Sequence, residues 1–188
     1  QVQGTAQLFV TGPALADAVL GEHVTPDALG GCDMHARRSG VTHLVARDDR
    51  DCIALIRRLL AYLPQSNRER PAAVEAGDPA DRTVPELLDI VPIDPGRNYD
   101  MHKVVGAIVD GGEFFEIQEG FARNMIIGFA RMGGQAVGLV ANNPAVGDGY
   151  IDGDAAVKAA RFVRTCDAFN IPLLTLVEKS ALYRRIAV

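Results

Sequence analysis

Ser39 lies between His35 and His43 and is followed by Gly40. A serine with an imidazole base in reach is the minimum for nucleophilic catalysis, because the base takes the hydroxyl proton as the oxygen attacks. A turn serine beside two half-exposed histidines is the stronger reading, since nearness in sequence is not geometry and no third, orienting group is identifiable. Glu113 and Glu116 straddle Phe114-Phe115. A general acid or base is conceivable there, but a solvent-facing pair at a strand edge fits better. Cys166, on the small-residue side of a helix, reads as a buried, inert thiol, and Cys32, after Gly30-Gly31, as the more exposed one. Asn142-Asn143-Pro144 closes an apolar run. It reads equally as a ligand-contacting loop at a strand end or as a strand terminator built on Asx turns. Gly30-Gly31 offers backbone N–H groups at a turn, and a helix C-cap explains the pair as well. No HExxH, GxSxG or strand-following GxGxxG pattern is present, and no metal-ligand spacing of His or Cys. The lack of GxxxxGK[ST] disfavours nucleoside-triphosphate hydrolysis.

The elements that position these residues alternate between helix and strand. Leu8–Val10 and Val41–Ala46 are short β-type runs. Pro13 fits the first turn of a helix that stops at Gly21, and Thr25-Pro26 starts a second one that ends at Gly30-Gly31. Asp48–Leu63 is amphipathic: Cys52, Ile53, Ile56, Leu59, Leu60 and Leu63 recur at spacings of three and four. From Pro64 to Pro85 the chain is polar and punctuated by prolines, a linker pattern. Leu87–Ile93 opens the second half, and Asp94-Pro95-Gly96 is a turn. Asp100 caps a helix running from Met101 to about Val109, and Phe114–Ile117 is a strand. Met125–Ala130 and Ala136–Ala141 form a hairpin around Gly133-Gly134. Asp152–Phe169 is a long helix with Ala156, Ala159, Ala160, Val163 and Cys166 on its packing side, followed by a buried strand, Ile171–Val177. This order predicts a layered α/β fold.

The chain has 188 residues, 48% apolar and 23% charged, enough for one domain or two small halves. Such a chain buries about 70% of its unfolded surface and needs no metal or disulfide staple. Nineteen basic against twenty-four acidic residues give a net charge of −5, with no basic run to bind nucleic acid. No apolar run is long enough to span a membrane. Three scattered cysteines point to reduced thiols in a cytoplasmic compartment. The first residue is Gln, so a preceding segment is expected.

Several stretches, taken in order, resemble one family. They include Gly4–Pro13, Leu29-Gly30-Gly31 with His35 and Ser39-Gly40-Val41, Tyr62-Leu63-Pro64 and Asp78–Arg82. Further along come Tyr99-Asp100-Met101, Gly112–Ile117, Gly128–Arg131, Ala159–Arg164 and Asp167–Leu173. Together they are similar to the carboxyltransferase (β) subunit of biotin-dependent acyl-CoA carboxylases, most of all the propionyl-CoA type. The resemblance covers roughly residues 1 to 178; the tail 179–188 does not match. It implies a crotonase-like (ClpP/crotonase) ββα superhelix, with parts of two such halves present. Residues 1–64 would end the N-terminal half, 65–86 would be a Pro-rich linker, and 87–188 would begin the C-terminal half.

The resemblance also implies a chemistry. Carboxyl passes from carboxybiotin, carried on a biotin carboxylase/biotin carrier partner subunit, to an acyl-CoA such as propionyl-CoA. Two oxyanion holes of backbone N–H groups stabilise the developing charges, so no side-chain nucleophile is needed. Both holes lie outside this chain, which therefore carries no catalytic residue. It would be inactive by itself and aggregation-prone or oligomeric, within a homo-oligomeric, hexameric family. Gly30, Gly31, His35, Ser39 and Gly40 are the substrate-side candidates, and Asn142, Asn143 and Pro144 the biotin-side loop. Asn143 stands where the family usually has Gln. No metal, membrane or nucleic acid is implied. The alternatives are a non-catalytic assembly module of the same fold, or another crotonase-fold acyl-CoA enzyme.

Overall fold

The computed structural model describes residues 1–94 and 96–178. Pro95 of the expected turn and the unmatched tail lie outside them. The chain divides into two compact units: Gln1–Arg58 with Gln118–Phe121, and Leu59–Ile117 with the chain from Ala122 onward.

The first unit is helical. It holds α1 (Pro13–Leu20), α2 (Pro26–Gly30), α3 (Cys32–Met34), a π-type turn at His35–Ser39, and most of α4 (Asp49–Leu60). The start signals work as their chemistry dictates. Pro13 sits in the first turn of α1, Gly21 closes it at φ 69°, and the Thr25 hydroxyl accepts from the Ala28 N–H at 3.2 Å. The two expected strands do not form. Leu8–Val10 has one bridge beside it, Gln7 to Gly31, and Val41–Ala46 makes one at its last residue, Ala46 to Val2. A β-type run needs a neighbouring ladder, and within this unit neither run has one. Cys32, expected to be the more exposed thiol, is buried. Amphipathic α4 buries none of its residues, and Ile53, Ile56 and Leu60 face outward.

The second unit is built on a sheet of β1 (Phe115–Ile117), β2 (Met125–Met132), β3 (Gln135–Asn142) and β4 (Leu173–Leu176), in that order. The first two pairings are antiparallel and the last is parallel. The β2–β3 turn is Gly133-Gly134, with φ 59° and 76°, the two positive values that a tight type I′ hairpin requires. The Asp110 carboxylate accepts both turn amides, at 3.0 and 2.7 Å. Residues 64–85 form no strand or long helix, yet they are tethered: Val74 N–H donates to the Gly134 carbonyl, and Asn170 donates to Asn67 and Glu69 carbonyls.

Short α5 (Leu87–Ile90) precedes α6 (Met101–Ile108), and α7 (Gly153–Ala168) provides the crossover that a parallel β3–β4 pair needs. One face of the sheet, with Ile126, Ala130, Val137, Leu139 and Ala141, packs on Met101, Val105 and Val109. The other takes α7. Phe162 lies against Phe129 with ring centroids 5.0 Å apart, and Tyr62 stacks over Phe129 and Phe115. The buried side of α7 is Ala155, Lys158, Phe162 and Cys166, not the alanine-rich side expected; Ala156, Ala160 and Val163 are exposed. Beginning the 3.6-residue stripe at Ala155 sends Phe162 to the sheet, and its area outweighs that of the small residues. The final strand is shorter than expected and half-buried, because among the described residues it has a neighbour on one side only and its side chains alternate between faces.

Thiol chemistry follows from this packing. Burial pushes the fully buried Cys166 thiol up to about 12, so it carries essentially no nucleophilic thiolate at pH 8. Iodoacetamide should label half-buried Cys52 in the folded chain and reach Cys32 and Cys166 only in denaturant. Mass spectrometry of peptides around the three cysteines checks this; native labelling of Cys166 would contradict the packing of α7.

Candidate functional site

In the second unit the loop after β3 meets the start of α6. Asp100 caps α6: its Oδ1 accepts the His102 N–H at 3.0 Å and His102 Nδ1–H at 2.7 Å. The other ring nitrogen, Nε2, donates to Glu116 Oε2 on β1 at 2.9 Å. With a carboxylate at each nitrogen, the ring holds both protons. The Glu116 hydrogen bond, opposed by partial burial and reinforced by Asp100, raises His102 to about 9. Partial burial disfavours the Asp100 anion, but the His102 hydrogen bonds outweigh it and hold that carboxyl below the usual range.

The candidate loop is built onto this cluster. Asn143 is buried; its Oδ1 accepts from Met101 N–H at 3.1 Å and Ala145 N–H at 3.2 Å, and its Nδ2 donates to Asp100 Oδ1 at 3.3 Å. Asn142 Nδ2 donates to the carbonyls of Gly149 and Glu178, and its Oδ1 accepts the Glu178 N–H at 2.7 Å. Pro144 is fully buried. Tyr99 donates its hydroxyl to Glu178 Oε2 at 3.0 Å; burial, then that contact, pushes Tyr99 up to about 12. The Asn142 and Asn143 side chains thus hold the loop in shape.

Glu116, expected as half of a solvent-facing pair, is instead a largely covered partner of His102. The sequence reading missed His102 altogether. The i, i+2 spacing of Asp100 and His102 at a helix start was a signal, since a cap residue and the second residue of its helix lie close together. Glu116 joins them only through the placement of β1.

The first-unit candidates form a second set. His35 Nε2 faces the Leu8 carbonyl at 2.5 Å, which makes that nitrogen the protonated one. Nδ1 therefore accepts the Ser39 hydroxyl proton, at 2.7 Å, while Ser39 Oγ accepts the Val41 N–H at 3.4 Å. The orienting group that could not be read from sequence is the Leu8 backbone carbonyl. Gly31 N–H donates to the Asp27 carbonyl at 2.9 Å, as a helix C-cap does. Gly40 adopts φ 66°, with its carbonyl accepting from Gln118 Nε2 and the Phe121 ring against its Cα. Among the described residues no cluster of His, Cys, Asp or Glu is fit to hold a metal ion, and no helix is long and apolar enough to cross a membrane.

A family model described as the carboxyl transferase domain matches residues 1–180. The chain belongs to that family. The carboxyltransferase subunit of propionyl-CoA carboxylase from Haloferax mediterranei is 46% identical over 177 residues, which is 94% of this chain and 34% of that protein. The α subunit of methylmalonyl-CoA decarboxylase from Veillonella parvula is 45% identical over 94% of this chain and 35% of its own. A crystal structure of transcarboxylase 12S, a hexamer assembly with hydrolysed methylmalonyl-coenzyme A bound, superposes with a TM-score of 0.89 at 43% identity. It covers 94% of this chain and 34% of its own. The carboxyl transferase domain here therefore spans about a third of the length of the relatives it matches, and its fold is crotonase-like α/β.

The His102 ion pairs give this domain a pH signature. A raised imidazole contributes stability that is fully present below its unfolded value near 6.5 and is lost as pH rises through about 9. The ring is 38% exposed, so solvent screening cuts the effect to about 1 kcal/mol. The stability difference between the native chain and His102→Gln, measured by urea titration, should shrink from pH 6 to pH 10. A constant difference would contradict the doubly held imidazolium.

Proposed function

We propose that this chain is part of the carboxyltransferase component of a biotin-dependent acyl-CoA carboxylase. That component moves carboxyl from carboxybiotin, carried on a partner subunit, to an acyl-CoA such as propionyl-CoA. The carrying observation is the family match over residues 1–180 together with 46% identity to a propionyl-CoA carboxylase subunit. The site chemistry agrees. Ser39 is enclosed by hydrogen bonds from and to its own turn, and a transfer stabilised by backbone N–H groups needs no such nucleophile. Neither oxyanion hole is assigned to residues of this chain, so its own residues shape the clefts and take no step in the reaction.

Residues 1–64 would complete the N-terminal half, 65–86 would link, and the chain from 87 would begin the C-terminal half. Gly30, Gly31, His35, Ser39 and Gly40 would support the acyl-CoA side, and Asn142, Asn143 and Pro144 the biotin side. The partners would be a biotin carrier subunit and further copies of the same subunit, as in the hexamer assembly of transcarboxylase 12S. Free cysteines fit a reducing compartment.

The decarboxylase relative, one percentage point less identical, favours a second reading in which carboxyl leaves the acyl-CoA for biotin. The test is carboxyl exchange between methylmalonyl-CoA and free biotin, followed by ATP-dependent carboxylation of propionyl-CoA with the carrier subunit added. The complete subunit should exchange carboxyl, and the isolated 188-residue chain should stay at background. Exchange without ATP-dependent carboxylation would move the assignment to the decarboxylase; no exchange by the complete subunit would end both readings.

A further inference from the structure

We infer that His102 is a positioning residue for the Asn142–Pro144 loop. The inference deepens the proposed function, since it concerns the loop placed on the biotin side. Asn143 is buried and holds three elements of the loop region together: the first amide of α6, the amide of Ala145 and the Asp100 carboxylate. Two of its three bonds depend on where the start of α6 stands. That start is fixed by Asp100, whose Oδ1 receives the His102 amide, His102 Nδ1–H and Asn143 Nδ2–H. His102 also ties the cap to Glu116 on β1, the first strand of the sheet. The ring therefore joins strand, cap and loop in one chain of hydrogen bonds.

The ring is a two-ended clamp only while both nitrogens carry protons. A neutral imidazole has one N–H, so one carboxylate would face a lone pair and that end would open. The charged groups facing the ring are Asp100 from its own cap and Glu116 from β1. Asn143, from the loop, is neutral. Tyr99 and Glu178, nearby, pair with each other and hold the Asn142 side of the same loop. Glutamine at 102 keeps comparable size without the charge; arginine restores a cation with several donors.

Amide hydrogen exchange of the complete subunit, read on peptides covering 99–108 and 142–150, tests this without any need for activity. His102→Gln should speed exchange in both peptides by about tenfold, the worth of one lost charge-assisted bond, and His102→Arg should restore protection. The native subunit should show the same paired loosening between pH 7 and pH 10 after correction for intrinsic exchange, which keeps the inference testable if His102→Gln fails to fold. Equal exchange in native and His102→Gln subunits, or a native loop indifferent to pH, would overturn it, and the assignment as a carboxyltransferase would be untouched. In the exchange assay between methylmalonyl-CoA and free biotin, His102→Gln should lower kcat about tenfold with the acyl-CoA KM little changed. A rise in KM at unchanged kcat would overturn the biotin-side placement.

Discussion

Gly138→Val should cost the sheet unit about 3 kcal/mol or more. Gly138 sits in the middle of β3, paired with Phe129 on β2 and Leu173 on β4, on the face covered by α7. A Cβ there would lie 2.5 Å from Cys166 Sγ, 3.1 Å from Leu173 Cδ2 and 3.2 Å from Phe162 Cε1. Real carbons do not approach sulfur so closely. Cys166 is fully buried and Phe162 is pinned by Phe129, so α7 itself must lift off the sheet. Overpacking of a core by a few carbons costs about 1–3 kcal/mol, and three added carbons at a site with no slack belong at or above that upper end. Small domains hold only about 5–15 kcal/mol in total. Gly138→Ala should be intermediate, and Cys166→Ala, which removes the sulfur, should recover a large part of its loss. The two single variants and the double variant form a cycle whose interaction energy, read from urea midpoints, should be favourable by about 1 kcal/mol or more. A Gly138→Val midpoint equal to that of the native chain would mean that α7 does not lie where it is placed.

What was legible in the sequence was whatever depends on neighbours along the chain. Gly133-Gly134 between two apolar β-type runs signals a tight hairpin, and β2 and β3 lie where it puts them. Asp100 is a cap residue by type and position, and Asp152, expected as the first residue of its helix, proves to be the cap; both side chains accept from the first turn. The stripe on α4 was equally plain, yet which surface it faces is not a local property. The buried side of α7 was misread because alanines are apolar whether or not they face a sheet. Phe162 decides the rotation, through a contact with Phe129, thirty-three positions earlier. The β-type runs of the first unit failed for the converse reason: Leu8–Val10 has strand composition but gains only a single bridge beside it, Gln7 to Gly31.

The candidate site divides in the same way. The Asn-Asn-Pro loop was visible as a strand ending, and the resemblance gave it a side of the reaction. Its inner chemistry was not visible, because the His102 ring connects a cap to a strand fourteen residues onward. No spacing rule registers that link. Ser39 and His35 were noticed as a pair, but the group that fixes their proton is a main-chain carbonyl, which has no letter in the sequence.

Gly30→Ala should therefore do more damage than any role of its amide would suggest. Alanine keeps the N–H, so a site that needed only a backbone donor at residue 30 would tolerate the change. The structure says otherwise. A Cβ on Gly30 would meet the Leu8 carbonyl oxygen and Phe9 Cδ1, at distances that force the Leu8–Phe9 backbone away. That backbone is held by Leu8 N–H donating to the Gly30 carbonyl at 2.8 Å, and its carbonyl orients His35. One methyl group thus breaks the bridge, frees His35 Nε2 and releases the Ser39 hydroxyl from its fixed direction. The first unit should lose about 2–3 kcal/mol, the sum of a clash with main chain and a stranded hydrogen-bond partner. Gly77→Ala is the control. Its Cβ meets nothing within 4 Å, and its stability should stay within about 0.5 kcal/mol of the native chain. Denaturant titration gives the energies, and the ¹⁵N resonances of the His35 ring report the tautomer, which should move from a fixed Nε2–H form toward a mixture in Gly30→Ala. A stable Gly30→Ala chain with an unchanged His35 ring would show that Leu8 does not pass so close, and the orienting role of its carbonyl would fall with it.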